Sequence, residues 1–426
     1  MKQSFLLTWR ALVRGHVLSL LLAATALVHL LLPALVRSDG TAAGWREMFV
    51  RAVPGTAFAV IALSVLVCAC GCFAQERERF RLALAVVRPA SLVGVACGRW
   101  LALCAVGAAA LALSAALTAL RVPDAPPCRH RHVPDLPPPA ETARGILADY
   151  LRHPESIENP SLRALVTNAP AAALRVLANR EFDRYEALPP GGRGVWPFSP
   201  DLAAADRPRV RVRFATQLDL TSSFSGRFEL GDWSAVLSNR TQSVLDVPLV
   251  RAQAAAAAGA ERLFLRFENT GSRTVMLRPR RDLEIHVPAD AFAANLFRAS
   301  VQMLAAVSLL AAFGLFLSSA LSRPVAVFTA LVALLVVQMA PAVAEQVPEE
   351  MQTSFADRVG LWLARGVALL ASSAGEARPI SDLATDTCIE WAALARGCAV
   401  NACALPCALL GLTAAFLRRR PLADRS

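Results

Sequence analysis

The chain runs to 426 residues, of which 55% are hydrophobic and 18% charged, with 44 Lys and Arg against 33 Asp and Glu for a formal net charge of +11. Soluble domains carry roughly a quarter charged residues and disordered chains are poor in apolar ones, so both classes are excluded in favour of a multispanning membrane protein. The basic residues are scattered rather than gathered into a stripe with interleaved aromatics, which excludes nucleic acid as a partner, and Lys2 is the only lysine, which excludes a Walker A loop and P-loop ATP hydrolysis by this chain.

At the N-terminus Phe5, Trp9, Leu12 and Val13 recur at helical spacing beside Arg10 and Arg14. The pattern fits an amphipathic helix in the headgroup layer and, equally, the positive flank of a signal anchor. A span needs roughly 20 apolar residues to cross about 30 Å of hydrocarbon. Six segments meet that need: His16–Val36, Val53–Ala74, Trp100–Leu120, Ala299–Ala320, Pro324–Ala344 and Gly397–Leu417. The first is too long for the core of a signal peptide, and Arg37-Ser38-Asp39 stands where a small-residue cleavage site would be.

Between the second and third of these, Gln75-Glu76-Arg77-Glu78-Arg79-Phe80-Arg81 leads into Leu82-Ala83-Leu84-Ala85-Val86-Val87-Arg88-Pro89. A charged head, an apolar body and a proline that lacks the N–H predict a short helix with a sharp stop. Phe80, Leu84 and Val87 share one face of it, and Gly98-Arg99-Trp100 then opens the third span.

Residues 121–295 have the composition of an aqueous insert between spans three and four. Seven prolines between Pro123 and Pro139 predict a stiff, extended linker. Glu141–Leu151 and Pro170–Leu188 have helical spacing, and Pro189-Pro190-Gly191-Gly192 ends that helical part (140–188). Beyond it apolar residues alternate at Val210, Val212 and Phe214, at Phe228 and Leu230, at Leu263, Leu265 and Phe267, at Val275 and Leu277, and at Leu283, Ile285 and Val287. Period-two alternation with Asn269-Thr270-Gly271-Ser272 as a turn predicts an antiparallel β-sandwich of roughly seven strands over 207–290, with the alanine run 254–258 as a loop. Cys128, His130 and His132 are the insert's one cluster of metal-ligand types; a structural site wants four ligands, so a polar linker is the expected role and no cofactor is expected. No Gly-x-Ser-x-Gly elbow is present, and no catalytic residue is assigned.

Past the insert, Val359–Ala374 is too short to span and has Arg365 at its centre, where a charge costs about 2.5–3.5 kcal/mol, so it reads as re-entrant or interfacial. Cys68, Cys70, Cys72, Cys104, Cys398, Cys403 and Cys407 lie in apolar runs and read as small packing residues. His29, Gln302, Gln338 and Asn401 are polar groups inside spans, each either lining a translocation path or bonding between helices. Placing Lys2, Arg10, Arg14, the arginines of the 75–99 loop, Arg323 and Arg418-Arg419-Arg420 on one side satisfies the positive-inside rule with both termini cytoplasmic.

The order of these features resembles the permease subunits of type-2 ATP-binding-cassette (ABC) exporters, including the branch associated with maturation of multicopper enzymes. The resemblance rests on Glu76 or Glu78, Leu82, Leu84, Pro89, Ser91, Gly98 and Arg99, on Leu321-Ser322-Arg323-Pro324, and on Phe416-Leu417-Arg418-Arg419-Arg420. It departs from the family at Phe80-Arg81, where a Gly-Thr pair is common, and in the size of the insert. By that resemblance the chain is an α-helical polytopic protein of the bacterial inner membrane, a permease of unknown cargo rather than an enzyme. Glu76, Arg77, Glu78, Arg79, Arg88, Pro89, Gly98 and Arg99 would couple it to a separate ATP-binding cassette subunit, in a homo- or heterodimer with another permease. The alternative expectation is a membrane-anchored extracytoplasmic binding or assembly protein whose spans only mount the β-domain. The expected division is 1–120 with spans one to three and the cytoplasmic loop 75–99, the insert 121–295, and 296–426 with spans four to six and the re-entrant segment 359–374.

Overall fold

The computed structural model describes residues 1–35, 42–78, 91–199, 202, 207–213, 215–216, 223–240, 244–251, 263–346 and 379–419. Arg79, Arg88 and Pro89 of the expected coupling segment, the 359–374 segment, the 254–258 alanine run and Arg420 lie outside these residues. The chain divides into a membrane unit, Met1–Cys128 with Asp290–Ser426, and an insert unit, Arg129–Ala289.

In the membrane unit α1 (Lys2–Arg14) precedes α2 (Val17–Leu35), α3 (Ala42–Glu78) and α4 (Leu92–Arg121), and after the insert come α9 (Phe292–Ala320), α10 (Arg323–Gln346), α11 (Pro379–Ala384), α12 (Trp391–Cys398) and α13 (Leu405–Arg419). Among the described residues, five helical stretches are long and apolar enough to cross a membrane: Val17–Leu35, Gly44–Ala74, Leu92–Arg121, Phe292–Ala320 and Trp391–Arg418. The chain is therefore a polytopic membrane protein. They cover five of the six expected spans; the segment expected as the fifth falls on α10, where the apolar stretch Arg323–Val337 is shorter. Small residues set the packing: a Cβ on Gly314 of α9 would come 2.6 Å from the Ala69 Cβ of α3, and one on Gly107 of α4 would come 2.8 Å from Val307. Backbones approach closely there, the usual means of holding helices together in lipid.

The last apolar helix is not regular. A π turn, Ala399–Ala404, joins α12 to α13 just before Pro406. Proline has no N–H to donate and its ring crowds the carbonyl four residues back, here that of Ala402, so a wider turn relieves the ladder.

The insert opens with β1 (Arg129–His132), then α5 (Pro139–Arg152), α6 (Pro160–Asn168) and α7 (Pro170–Phe182). The strands β2 (Glu186–Leu188), β3 (Arg193–Phe198), β4 (Arg209–Arg213), β5 (Ala215–Thr216), β6 (Ser223–Leu230), β7 (Trp233–Arg240), β8 (Val244–Pro248), β9 (Val250–Arg251), β10 (Leu263–Asn269) and β11 (Val275–Leu277) follow, and after the short α8 (Pro279–Asp282) comes β12 (Leu283–Pro288). Among the described residues they form antiparallel sheets of order β1-β12-β4-β8, β3-β10-β6-β7-β9 and β2-β11-β5. Leu188, Trp196, Val210, Phe228, Leu265, Phe267, Val275 and Ile285, drawn from all three sheets, belong to one buried cluster. A separate cluster, with Ala143, Ile157, Leu162, Val166, Ala173 and Leu177, holds the helices together.

Three boundaries differ from the sequence reading, one of them being that β3 (Arg193–Phe198) lies ahead of the expected strand region 207–290. The helix expected to reach Leu188 stops at Phe182, because Glu186–Leu188 pairs with β11 instead. The expected linker contains β1, which pairs along β12 from Arg129↔Pro288 to His132↔Ile285. A fragment starting at Pro139 would strip that strand, whereas the compact unit is Arg129–Ala289. Expressed alone, it is expected to be soluble and to unfold in one cooperative transition with a mixed α/β circular dichroism spectrum, whereas the Pro139–Ala289 fragment unfolds earlier. A random-coil spectrum from the longer fragment would overturn this.

Candidate functional site

The segment expected to couple with a partner is framed by three described elements. Glu76, Arg77 and Glu78 form the last turn of α3. On the far side Ser91 caps α4, its hydroxyl accepting from the Gly94 N–H at 3.3 Å, which satisfies one of the donors that a helix start leaves open. The third element is α1, whose Ser4 hydroxyl donates to the Val95 carbonyl at 3.0 Å.

Gly98 explains how α1 gets so close. A Cβ there would stand 2.7 Å from the Met1 carbonyl oxygen and 2.9 Å from the Phe5 nitrogen, both backbone atoms that cannot yield easily. Beside it Arg99 is buried, its guanidinium donating to the Cys72 carbonyl at 3.1 Å and lying 4.2 Å over the Phe73 ring. A buried cation held by a carbonyl and a π face is a fixed element of the wall. The indole N–H of Trp100 donates to the Ser308 carbonyl of α9 at 3.0 Å. Thus Gly98 and Arg99 tie α1, α3 and α4 together at one end of the helices.

The polar residues inside the spans divide by partner. His29 is buried, with Nδ1 2.9 Å from the Thr25 carbonyl and Nε2 3.3 Å from both the Ser114 and Thr118 hydroxyls of α4. It acts as a cross-link between α2 and α4. Gln302 on α9 and Asn401 in the π turn are also buried, and the side-chain oxygen of each has no hydrogen-bond partner among the described residues. Unpaired acceptors in an apolar setting cost roughly 1–3 kcal/mol each, so these two, rather than His29, have capacity left for a passing polar group. Gln338 lies on α10.

The metal-type residues are distributed differently from the Cys128, His130, His132 grouping. His130 is exposed and His132 half-buried on β1 of the insert. The ligand-type groups gathered at Cys128 are instead Asp290 and Cys388, with all three ligand atoms within 4.8 Å of one another. Burial, then the neighbouring Cys388 thiol, pushes the Cys128 thiol up to about 12. Cys388 was legible only indirectly: in the expected six-span topology the 345–396 loop and the insert would share a side, which would put both cysteines in one compartment. No family model, curated protein or solved structure matches the chain.

Proposed function

We propose that the chain is the permease subunit of a type-2 ABC exporter, paired with a second permease and energised by a separate ATP-binding subunit that docks on residues 75–99 in the cytoplasm of a bacterial cell. The observation that carries this reading is the junction at Gly98 and Arg99. Any push on the 75–99 segment is delivered into α3 and α4, and through Trp100 into α9, so a force applied there reaches three spans at once. Two further features support it. As a regular helix, the 24 residues of α10 are about 36 Å long, enough for a sixth span. With six, Arg418 at the end of α13 falls on the same side as α1, as the positive-inside rule requires.

The cargo path in this reading runs past Gln302 and Asn401, whose side-chain oxygens, unpaired among the described residues, suit a polar solute. The test is charge reversal at the last turn of α3. Glu76→Arg with Glu78→Arg is expected to cut co-purification of the ATP-binding subunit at least tenfold, as breaking charged interface contacts does. Pro89→Ala is expected to leave binding intact and to uncouple ATP hydrolysis from transport. Wild-type co-purification and wild-type coupled hydrolysis in the double reversal would sink the proposal.

A further inference from the structure

The chain leaves the membrane unit after Cys128 and returns to it at Asp290. The two passing segments touch: the Cys128 N–H donates to the Asp290 carbonyl at 2.8 Å. Cys388, nearly a hundred residues further on, sits against this neck. It is fixed there by Asn295, whose amide donates to the Thr387 carbonyl at 2.8 Å and accepts from the Ile389 N–H at 2.9 Å.

We propose that Cys128, Cys388 and Asp290 form a binding site for a thiophilic divalent cation of the Zn2+ class, with two sulfurs and one carboxylate oxygen as ligands. The donor set is that of zinc, which takes Cys and Asp in tetrahedral sites and leaves a position to water when the protein supplies three ligands. Ligand atoms about a tetrahedral zinc lie roughly 3.3–3.8 Å apart. The three groups here are already within 4.8 Å of one another, so closure needs a side-chain adjustment of about 1 Å and no movement of the fold.

Arg298 supplies the outer support such a site needs. One guanidinium nitrogen donates to the Cys388 sulfur at 3.0 Å and to the Ile389 carbonyl at 3.2 Å, and the other donates to Asp290 Oδ2. Its flat face lies 4.3 Å from the Trp391 ring, which locks the orientation. The bond to Asp290 is made at Oδ2, the oxygen that the Cys388 thiol also faces at 3.9 Å, so Arg298 holds the carboxylate toward the sulfur. Binding displaces the thiol protons of Cys128 and Cys388 to solvent; the resulting two thiolates and a carboxylate total −3, so Arg298 and a divalent cation bring the cluster to zero, whereas a monovalent ion leaves a buried net charge. Access is also provided. The cysteines are 1% and 7% exposed, but the Asp290 side chain is 46% exposed, so an ion enters past the carboxylate and its water position faces out.

The experiment uses the full chain purified in detergent under reducing conditions, stripped with chelator and titrated with Co2+ as a spectroscopic probe. One equivalent is expected to bind with a near-ultraviolet sulfur-to-cobalt charge-transfer band, and Zn2+ is expected to displace it. Cys128→Ser and Cys388→Ser should each weaken binding about 100-fold, Asp290→Asn should weaken it at least tenfold, and Cys104→Ser, within α4, should leave it unchanged; effects of this size are ordinary for changes at metal sites. To keep the test independent of how the variants fold, the wild-type chain is also alkylated with and without Zn2+, where protection confined to Cys128 and Cys388 is expected. Absence of saturable Co2+ binding, a band that survives both serine variants, no zinc protection, or a Cys128–Cys388 disulfide recovered from membranes whose thiols were blocked at lysis would each overturn the proposal.

Discussion

Phe267→Ala is expected to remove about 3–5 kcal/mol from the stability of the Arg129–Ala289 fragment. Phe267 lies on β10, paired with β3 on one edge and β6 on the other, and is fully buried. Its ring meets Phe228 at 4.8 Å in a tilted pair, a geometry worth about 0.5–1.5 kcal/mol beyond burial. The space under the ring is filled by design of the backbone: a Cβ on Gly226 would stand 2.2 Å from the ring edge, so glycine is required in the middle of β6. Truncation leaves a cavity that this glycine cannot fill. Urea unfolding followed by circular dichroism checks the result, and a loss under about 1 kcal/mol would show that the sheets do not share a packed core.

Asp246→Asn is expected to cost about 3 kcal/mol at neutral pH and almost nothing in strong acid. Asp246 on β8 accepts from Arg129 at 2.6 Å and lies 3.1 Å from Arg209 and 3.9 Å from Arg211. Burial raises its pKa, but the three guanidiniums outweigh that and hold the carboxyl below the usual carboxylate range. Because the folded value lies below the unfolded one, the carboxylate stabilises the fold above the unfolded pKa of about 3.9, and that contribution is lost as pH falls through the folded value. Glu284 is shifted the same way: burial raises it, and a bond from His286 with the charge of Arg131 lowers it further. The difference between wild type and variant, measured at pH 7 and again near pH 2–3, therefore isolates Asp246. Equal stability of the two proteins at pH 7 would mean that solvent already screens the arginines.

The same residues explain what the sequence disclosed and what it hid. In β4 the run Arg209-Val210-Arg211-Val212-Arg213 buries its valines and turns its arginines outward, so alternation alone reveals the strand and its face. In β1 the run Arg129-His130-Arg131-His132 has no apolar member, and its buried residue is Arg129, on the same face of the sheet as the β4 arginines rather than on the valine face. Its burial is made tolerable by Asp246, a partner far along the chain, and nothing local announces it. Spans were legible because apolar length is a local property. The cluster at Cys128 was not, since Cys388 stands in a polar stretch and Asp290 looks like any acidic residue after a strand. The 75–99 segment was legible as a motif, and the packing around it was not: that Gly98 admits α1 depends on a contact between the first residues of the chain and the third apolar helix.

The π turn before Pro406 has a consequence for the phase of the last helix. Leu394 and Leu410 are both buried in the same cluster, and Thr413 is fully buried. At about 100° per residue an uninterrupted α-helix would set Leu394 and Leu410 roughly 160° apart, on opposite sides of the rod. Absorbing one residue in the wide turn cuts that angle to roughly 60° and brings Thr413 into line with Leu394. One surplus residue thus works as a rotational offset that lets both halves of the helix present their apolar side to the same neighbours. Deleting a residue between Ala399 and Ala404 would give a more regular helix facing the wrong way at one end.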